Sequence, residues 1–316
     1  MASQPPLGRT PSGPSHPELD ESAALDVLAR GELEICGRIV DASNATLLAK
    51  AELDGVHAFC VYKPMAGERP LWDFPGQTLA NREVATYLLS AATGWAVVPP
   101  TTLRADAPYG PGSVQWWIAG DGDGSDSQPG DDDEPLATEG RDQDDDEIPL
   151  PLADPGAGLV DVVAPDRRPP GWLEVVEAVG WDGERVALVH ADDPALRRMA
   201  VLDVVVNNAD RKGGHILRGA DGHVYGVDNG LTFNEDDKLR TVLWGWAGDQ
   251  LAGEAVDVLT RLGADLDDDG PLRRDLLGLL DRREVQRTAH RVRMLLRSRR
   301  YPRPGGHRPS IPWPAF

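Results

Sequence analysis

Residues 121–147 carry thirteen Asp or Glu against one basic residue, Arg141, so this segment alone holds −12 of the formal net charge of −20. Such a run cannot bury enough apolar area to offset the entropy of ordering it. Together with the Pro- and Gly-rich stretch that continues to about residue 170, it divides the 316 residues into two foldable parts. The organisation expected is a disordered leader (1–22), a first lobe (23–118), a largely disordered insertion (119–170), a second lobe (171–302) and a Pro-rich tail (303–316). A short apolar break at 159–163 interrupts the insertion. A charge run of this kind is usually a solvated loop.

The rest of the chain is only mildly acidic, and the overall sign disfavours nucleic acid as a partner. Two cysteines, Cys36 and Cys60, suggest no disulfide framework and suit a reducing compartment. The N-terminal residues lack a basic region followed by an apolar run, and no apolar stretch reaches membrane-spanning length. A soluble, cytoplasmic protein without a transmembrane segment is therefore expected.

In the first lobe, strand patterns cover 31–40, 46–53 and 56–62, the last two joined by the hairpin signal Asp54-Gly55. The third strand runs into Lys63-Pro64. After a Gly- and Pro-rich loop, Leu79, Val84, Ala85, Leu88 and Leu89 predict a helix that stops near Gly94. Two more strands are expected at 97–103 and 113–118. In the second lobe, 171–179 and 186–190 read as strands. Asp193-Pro194 opens a helix that closes at Asn207-Asn208. A hairpin through Asp221-Gly222 leads into Asp228-Asn229-Gly230, and three helices are expected at 251–262, 271–280 and 283–296.

Three features bear on chemistry. Lys63, at the end of a strand, can neutralise nucleotide phosphate oxygens; alone, a lysine there is usually a surface residue. Glu83, early in the following helix, can orient Lys63 through an ion pair, or simply face solvent. Asp210 and Asp228 each end an element, with a hairpin between them. Phosphoryl transfer needs one carboxylate to orient or deprotonate the acceptor hydroxyl and another to hold Mg²⁺ on the phosphates. Taken singly, an Asp before a Gly turn is ordinary turn chemistry. The ordered set Lys–Glu–Asp–Asp is much harder to assign to chance. Lys212 would add charge beside the transferring group, with plain solvent exposure equally open. Ser43 and Asn44, in the turn between the first two strands, either cover the phosphates or only close a hairpin.

The stretch 203–233, DVVVNNADRKGGHILRGADGHVYGVDNGLTF, resembles the catalytic core of the phosphatidylinositol 3-/4-kinase superfamily, most of all the type II 4-kinases and their bacterial relatives. With SNATLL, VYKP and LRTVLWGWAG, the whole chain is also similar to an uncharacterised actinobacterial kinase-like family. The resemblance covers 25–118 and 171–300. It implies an α+β, bilobal protein-kinase-like fold with a small antiparallel-sheet lobe, a mainly helical lobe, and ATP and Mg²⁺ between them. By this resemblance Lys63 and Glu83 are the nucleotide-phosphate lysine and its partner. Asp210 is the catalytic aspartate and Asp228 the metal aspartate. Gln115 and Trp117 belong to the hinge strand, 115–118, whose backbone meets adenine. His215 stands where kinase loops place a metal-binding Asn. Imidazole suits softer cations than Mg²⁺, so His215 implies a phosphate contact or a single metal as alternatives to a second metal site.

Two functions follow: a kinase acting on a lipid, protein or small-molecule hydroxyl, or a pseudokinase serving as a nucleotide-binding scaffold. A metal hydrolase built on His190, His215 or His223 lacks a ligand spacing. Trp244 and Trp246, near Lys238 and Arg240, and the basic stretch 287–303 leave room for peripheral membrane contact. Core tryptophans and a solvated basic helix are the simpler reading.

Overall fold

Asp54 and Gly55 both take positive φ, 51° and 80°, the geometry of a two-residue hairpin turn whose twist matches that of its strands. In the computed structural model, which describes residues 19–39, 45–69, 71, 73–74, 79–119, 158–180, 183–305 and 309–316, this turn joins β2 (Leu47–Leu53) to β3 (Val56–Pro64). With β1 (Glu32–Arg38), β4 (Thr101–Arg104) and β5 (Gly112–Trp116) they form an antiparallel sheet ordered β1-β2-β3-β5-β4. Side chains alternate along β3. Ala58, Cys60 and Tyr62 point into the small core with Ala49, Ala51 and Val114. The period of two leaves Phe59, Val61 and Lys63 on the opposite face.

The core face is covered by α1 (Glu21–Arg30), a helix that begins within the stretch read above as a leader and ends just before the first expected strand. Asp20 caps it, accepting the Ala23 N–H at 2.8 Å, and Val27 and Leu28 are buried against the sheet. Buried Arg104 donates to the carbonyl of Gly31 just past the helix end, at 2.5 Å.

Helix α2 (Leu79–Thr93) ties the lobes together. Its Ala80 N–H is satisfied by the Glu68 carboxylate at 2.9 Å, a cap supplied from outside the helix. Arg82 is buried and donates to Glu284 and to the carbonyl of Thr232, both in the second lobe. Ala85 and Leu89 enter the large core with Leu196, Met199, Leu259 and Val292.

The second lobe begins with an antiparallel sheet, β6 (Val160–Val163), β8 (Arg185–Ala191) and β7 (Trp172–Val179), in the order β6-β8-β7. Strand β6 corrects the expectation for the end of the insertion: the apolar break pairs with β8, burying Leu159 and Val160. Helix α3 (Pro194–Val206) is capped by Asp193 and ends at Asn207, which takes φ 55°. The hairpin β9 (Ile216–Arg218) and β10 (Val224–Gly226) follows, then α4 (Gly253–Asp265), α5 (Pro271–Leu277) and α6 (Arg282–Ser298). The fold is thus α+β and two-lobed, with a small antiparallel-sheet lobe and a largely helical one, as expected of the kinase-like plan.

Trp246 and Trp244 are 1% and 9% exposed, so they do not form a membrane-facing surface. Lys238 is also buried, paired with Asp73 at 3.1 Å. Both cysteines are free thiols. Among the described residues no helix is long and apolar enough to cross a membrane.

Candidate functional site

Lys63, on the sheet face away from the small core, extends to meet Glu83 of α2 and Asp228 of the loop after β10. Its Nζ lies 2.5 Å from Glu83 Oε1 and 2.8 Å from Asp228 Oδ1. Two carboxylates from two separate elements therefore converge on the ammonium of a third. Glu83 is held at both ends, since its Oε2 accepts the Asn229 N–H at 2.9 Å. Burial alone would lower the Lys63 pKa. The charges of Asp228 and Glu83 outweigh it and hold the ammonium above the ordinary lysine range. Lys63 in turn holds the Asp228 carboxyl well below the usual carboxylate range. Asp228 takes φ 55° and its side chain is about half exposed, so the charged group is presented rather than enclosed.

Asp210 occupies the loop after α3, with Lys212 Nζ 3.5 Å from its Oδ2. Burial raises the Asp210 pKa to about 6, with the charge of Asp228 adding to the rise and Lys212 opposing it. The two aspartates thus lie within electrostatic reach but are driven apart in acidity: one is ionised throughout the neutral range, the other titrates near its edge. His215 places Nε2 3.3 Å from Asp228 Oδ2. Desolvation depresses its pKa to about 4, against the opposing charge of Asp228, so near pH 7 the ring beside this carboxylate is neutral.

Gln115 shares the Lys63 face of the sheet, being paired with Val61, and its side-chain amide donates to Thr101 Oγ1 at 2.8 Å. The N–H of Trp117 is taken up by the Phe59 carbonyl at 3.1 Å, leaving the end of β5 tied to β3. Ser43 and Asn44 lie outside the described residues.

Two residues that the sequence reading passed over, Asp203 and Arg211, join the two aspartate loops from below, together with Asn208, read above only as a helix end. Asp203, in α3, and Arg211 are both fully buried and ion-paired, with guanidinium-to-carboxylate distances of 3.0–3.2 Å. Arg211 also donates to Asn229 Oδ1 at 2.7 Å and to the Val227 carbonyl at 2.8 Å. Asn208 bridges from the other side, donating to Asp203 and accepting the Asp210 N–H at 2.9 Å. A single buried cation therefore fixes the residue after Asp210 to the residues on either side of Asp228. The signal was present in the sequence: Asp203 is the lone charge inside the apolar run VLDVVV, and an acid at such a position requires a buried partner.

No family model matches the chain. Protein Rv2133c of Mycobacterium tuberculosis (strain ATCC 25618 / H37Rv) is 47% identical over 290 residues, covering 92% of this chain and 94% of that protein. The chain belongs to the Rv2133c family. Identity of that degree over so much of both chains means that this Rv2133c relative shares the fold. Among solved structures, the chain is similar to the crystal structure of a Helicobacter pylori proinflammatory kinase, CtkA. The TM-score is 0.36 at 10% identity, over 85% of this chain and 97% of that one. A likeness so shallow says nothing of the chemistry of the Rv2133c family, which has to be read from the side chains themselves.

Among the described residues of this Rv2133c-family chain, no group of three or more His, Cys, Asp or Glu side chains is placed to hold a metal unaided. The site instead offers two carboxylates, Asp210 and Asp228, beside two ammonium groups, Lys63 and Lys212, while the third carboxylate, Glu83, is taken up by Lys63 and the Asn229 N–H. That composition suits a ligand bringing its own anionic oxygens. Mg²⁺ is commonly held by one or two carboxylates plus substrate phosphates, so the donor set fits that cation together with a nucleotide.

Proposed function

We propose that this Rv2133c-family chain is an ATP- and Mg²⁺-dependent phosphotransferase of the phosphatidylinositol 3-/4-kinase-like type, with a hydroxyl group as acceptor. The observation that carries the reading is the contact of Lys63 with both Glu83 and Asp228. Glu83 holds the ammonium on its strand, and the ammonium stands ready to neutralise nucleotide phosphate oxygens beside the metal-side carboxylate. Bound at Asp228, Mg²⁺ would offset charge on the phosphates. Asp210 orients the acceptor hydroxyl and accepts its proton as that oxygen bonds to the γ-phosphorus. The bond from phosphorus to the bridging oxygen breaks, and its electron pair leaves with ADP. Lys212 meets charge on the transferring group.

This assignment fixes a pH dependence. Asp210 accepts a proton only when ionised, and its pKa is raised to about 6. The value of kcat/KM, which reports groups of the free enzyme, should rise through pH about 6 and level off above it. A profile that is flat through pH 6, or one whose acid limb survives in Asp210→Asn, argues against Asp210 as the proton acceptor. The acceptor itself is found by incubating the protein with γ-labelled ATP and fractionated cell extract and identifying what becomes labelled.

One observation favours a second reading. Both carboxylate oxygens of Asp228 already have partners, Lys63 and His215, so a cation bound there would share these oxygens with them and meet the repulsion of the Lys63 ammonium. A pseudokinase that binds nucleotide without transfer would tolerate this. It would show ATP-dependent thermal stabilisation with no labelled product.

A further inference from the structure

Two glycines follow Lys212, and neither has a positive φ. Backbone conformation therefore does not require glycine at either position. A Cβ on Gly214 would meet nothing within 4 Å, whereas a Cβ on Gly213 would run into the ring of Phe316. The Gly213 N–H also donates to the Ala315 carbonyl at 2.8 Å. Residues 309–316 thus lie directly against the loop that carries Asp210 and Lys212.

The segment is anchored further along its length. The Ser310 carbonyl accepts the Thr241 N–H at 3.0 Å and the Trp244 Nε1–H at 2.7 Å, and Pro312 is buried. Residues 240–242 are themselves laced to the loop: Arg211 N–H donates to the Arg240 carbonyl at 3.0 Å, and Val242 N–H to the Arg211 carbonyl at 3.1 Å. Three stretches of chain are therefore bonded through their backbones, with the Asp210 loop tied to both others. Arg211 holds this loop from the side of Asp228, and the 309–316 segment holds it two residues further on.

We infer that residues 309–316 are a positioning element for the Asp210–Lys212 loop, with Phe316 packed on Gly213 as its key contact; this rests on the phosphotransferase reading above. Phe316 touches no reacting atom in this account. It acts by fixing where Lys212 and Asp210 stand, and small displacements of such groups lower the rate of transfer much more than they weaken nucleotide binding.

The test uses the full chain, the variants Gly213→Ala, Phe316→Ala and their double, and a form lacking residues 313–316, each checked by thermal melting. Gly213→Ala should lower kcat on the order of 10²-fold with KM for ATP little changed. The double variant should recover part of that loss, because removing the ring makes room for the added methyl. Independently of activity, amide exchange at Gly213 should accelerate in the shortened form. Unchanged exchange there overturns the inference. So does faster exchange with an unaltered kcat, or independent, multiplying effects of the two substitutions. If the full chain transfers no phosphate at all, the phosphotransferase reading fails, and the exchange measurement alone then decides whether the segment orders the loop.

Discussion

Asp228→Asn should reduce phosphoryl transfer by roughly three orders of magnitude while leaving the fold intact, the loss corresponding to several kcal/mol of charge stabilisation in the transition state. The substitution keeps the shape of the side chain and one acceptor oxygen. It removes the negative charge needed to hold a cation against the phosphates, and half of the charge that faces Lys63. The effect on stability is small for a separate reason. The Asp228 side chain is 49% exposed, and ion pairs that open to solvent contribute about 0–1 kcal/mol. Lys63 retains Glu83 as a partner at 2.5 Å, so no buried charge is left alone. Initial rates at saturating ATP and Mg²⁺, paired with melting curves, check both halves. A rate loss of tenfold or less would remove Asp228 from the metal side of the site.

Arg211→Met should have the opposite profile, costing about 3–5 kcal/mol of stability, because it strands a charge in the interior. Asp203 and Arg211 both have 0% side-chain exposure, and without the guanidinium Asp203 keeps only Asn208 among its described side-chain partners. Burial already holds the Asp203 carboxyl above its ordinary pKa, and Arg211 is what opposes that rise. Removing Arg211 lifts it further. Between the unfolded value and this raised folded value, the native state binds more protons than the unfolded chain, so stability falls as pH rises. The deficit of the variant is therefore smallest in acid and grows as pH climbs through the raised pKa. Denaturant midpoints of wild type and variant across that range test the sign. The double variant Asp203→Asn/Arg211→Met should regain part of the loss, since it leaves no unpaired charge. An equal or larger deficit in the double variant would mean that Arg211 acts through Asn229 and Val227 instead.

The contrast between these residues also explains what the sequence made legible. Lys63, Glu83 and Asp228 could be found because each sits at a marked place: a strand end before Pro, the first turns of a periodic helix, and a strand end before Asn-Gly. Their convergence is a tertiary fact, but their elements were separately readable. Arg211 lies in a basic, Gly-rich loop and looks like a surface residue; only the backbone path around α3 and β10 buries it. Helix α1 was missed because a Pro- and Ser-rich leader precedes it and because a single turn of Ala24, Val27 and Leu28 gives too short a period to outweigh the strand pattern that follows. Strand β6 was missed because Pro and Gly flank it and its partner, β8, lies some two dozen residues further along the chain. Gly213 had a visible composition but no visible reason, since its neighbour Phe316 is a hundred residues away.

Calorimetric titration of ATP in the presence of Mg²⁺, into wild type, Lys63→Met and Asp228→Asn, puts the shared nucleotide site to the most direct test. One ATP should bind per wild-type chain, and both substitutions, lying on different lobes, should weaken that same binding event. Absence of binding by the wild type, or binding that neither substitution alters, would contradict the assignment of Lys63 and Asp228 to a common phosphate site.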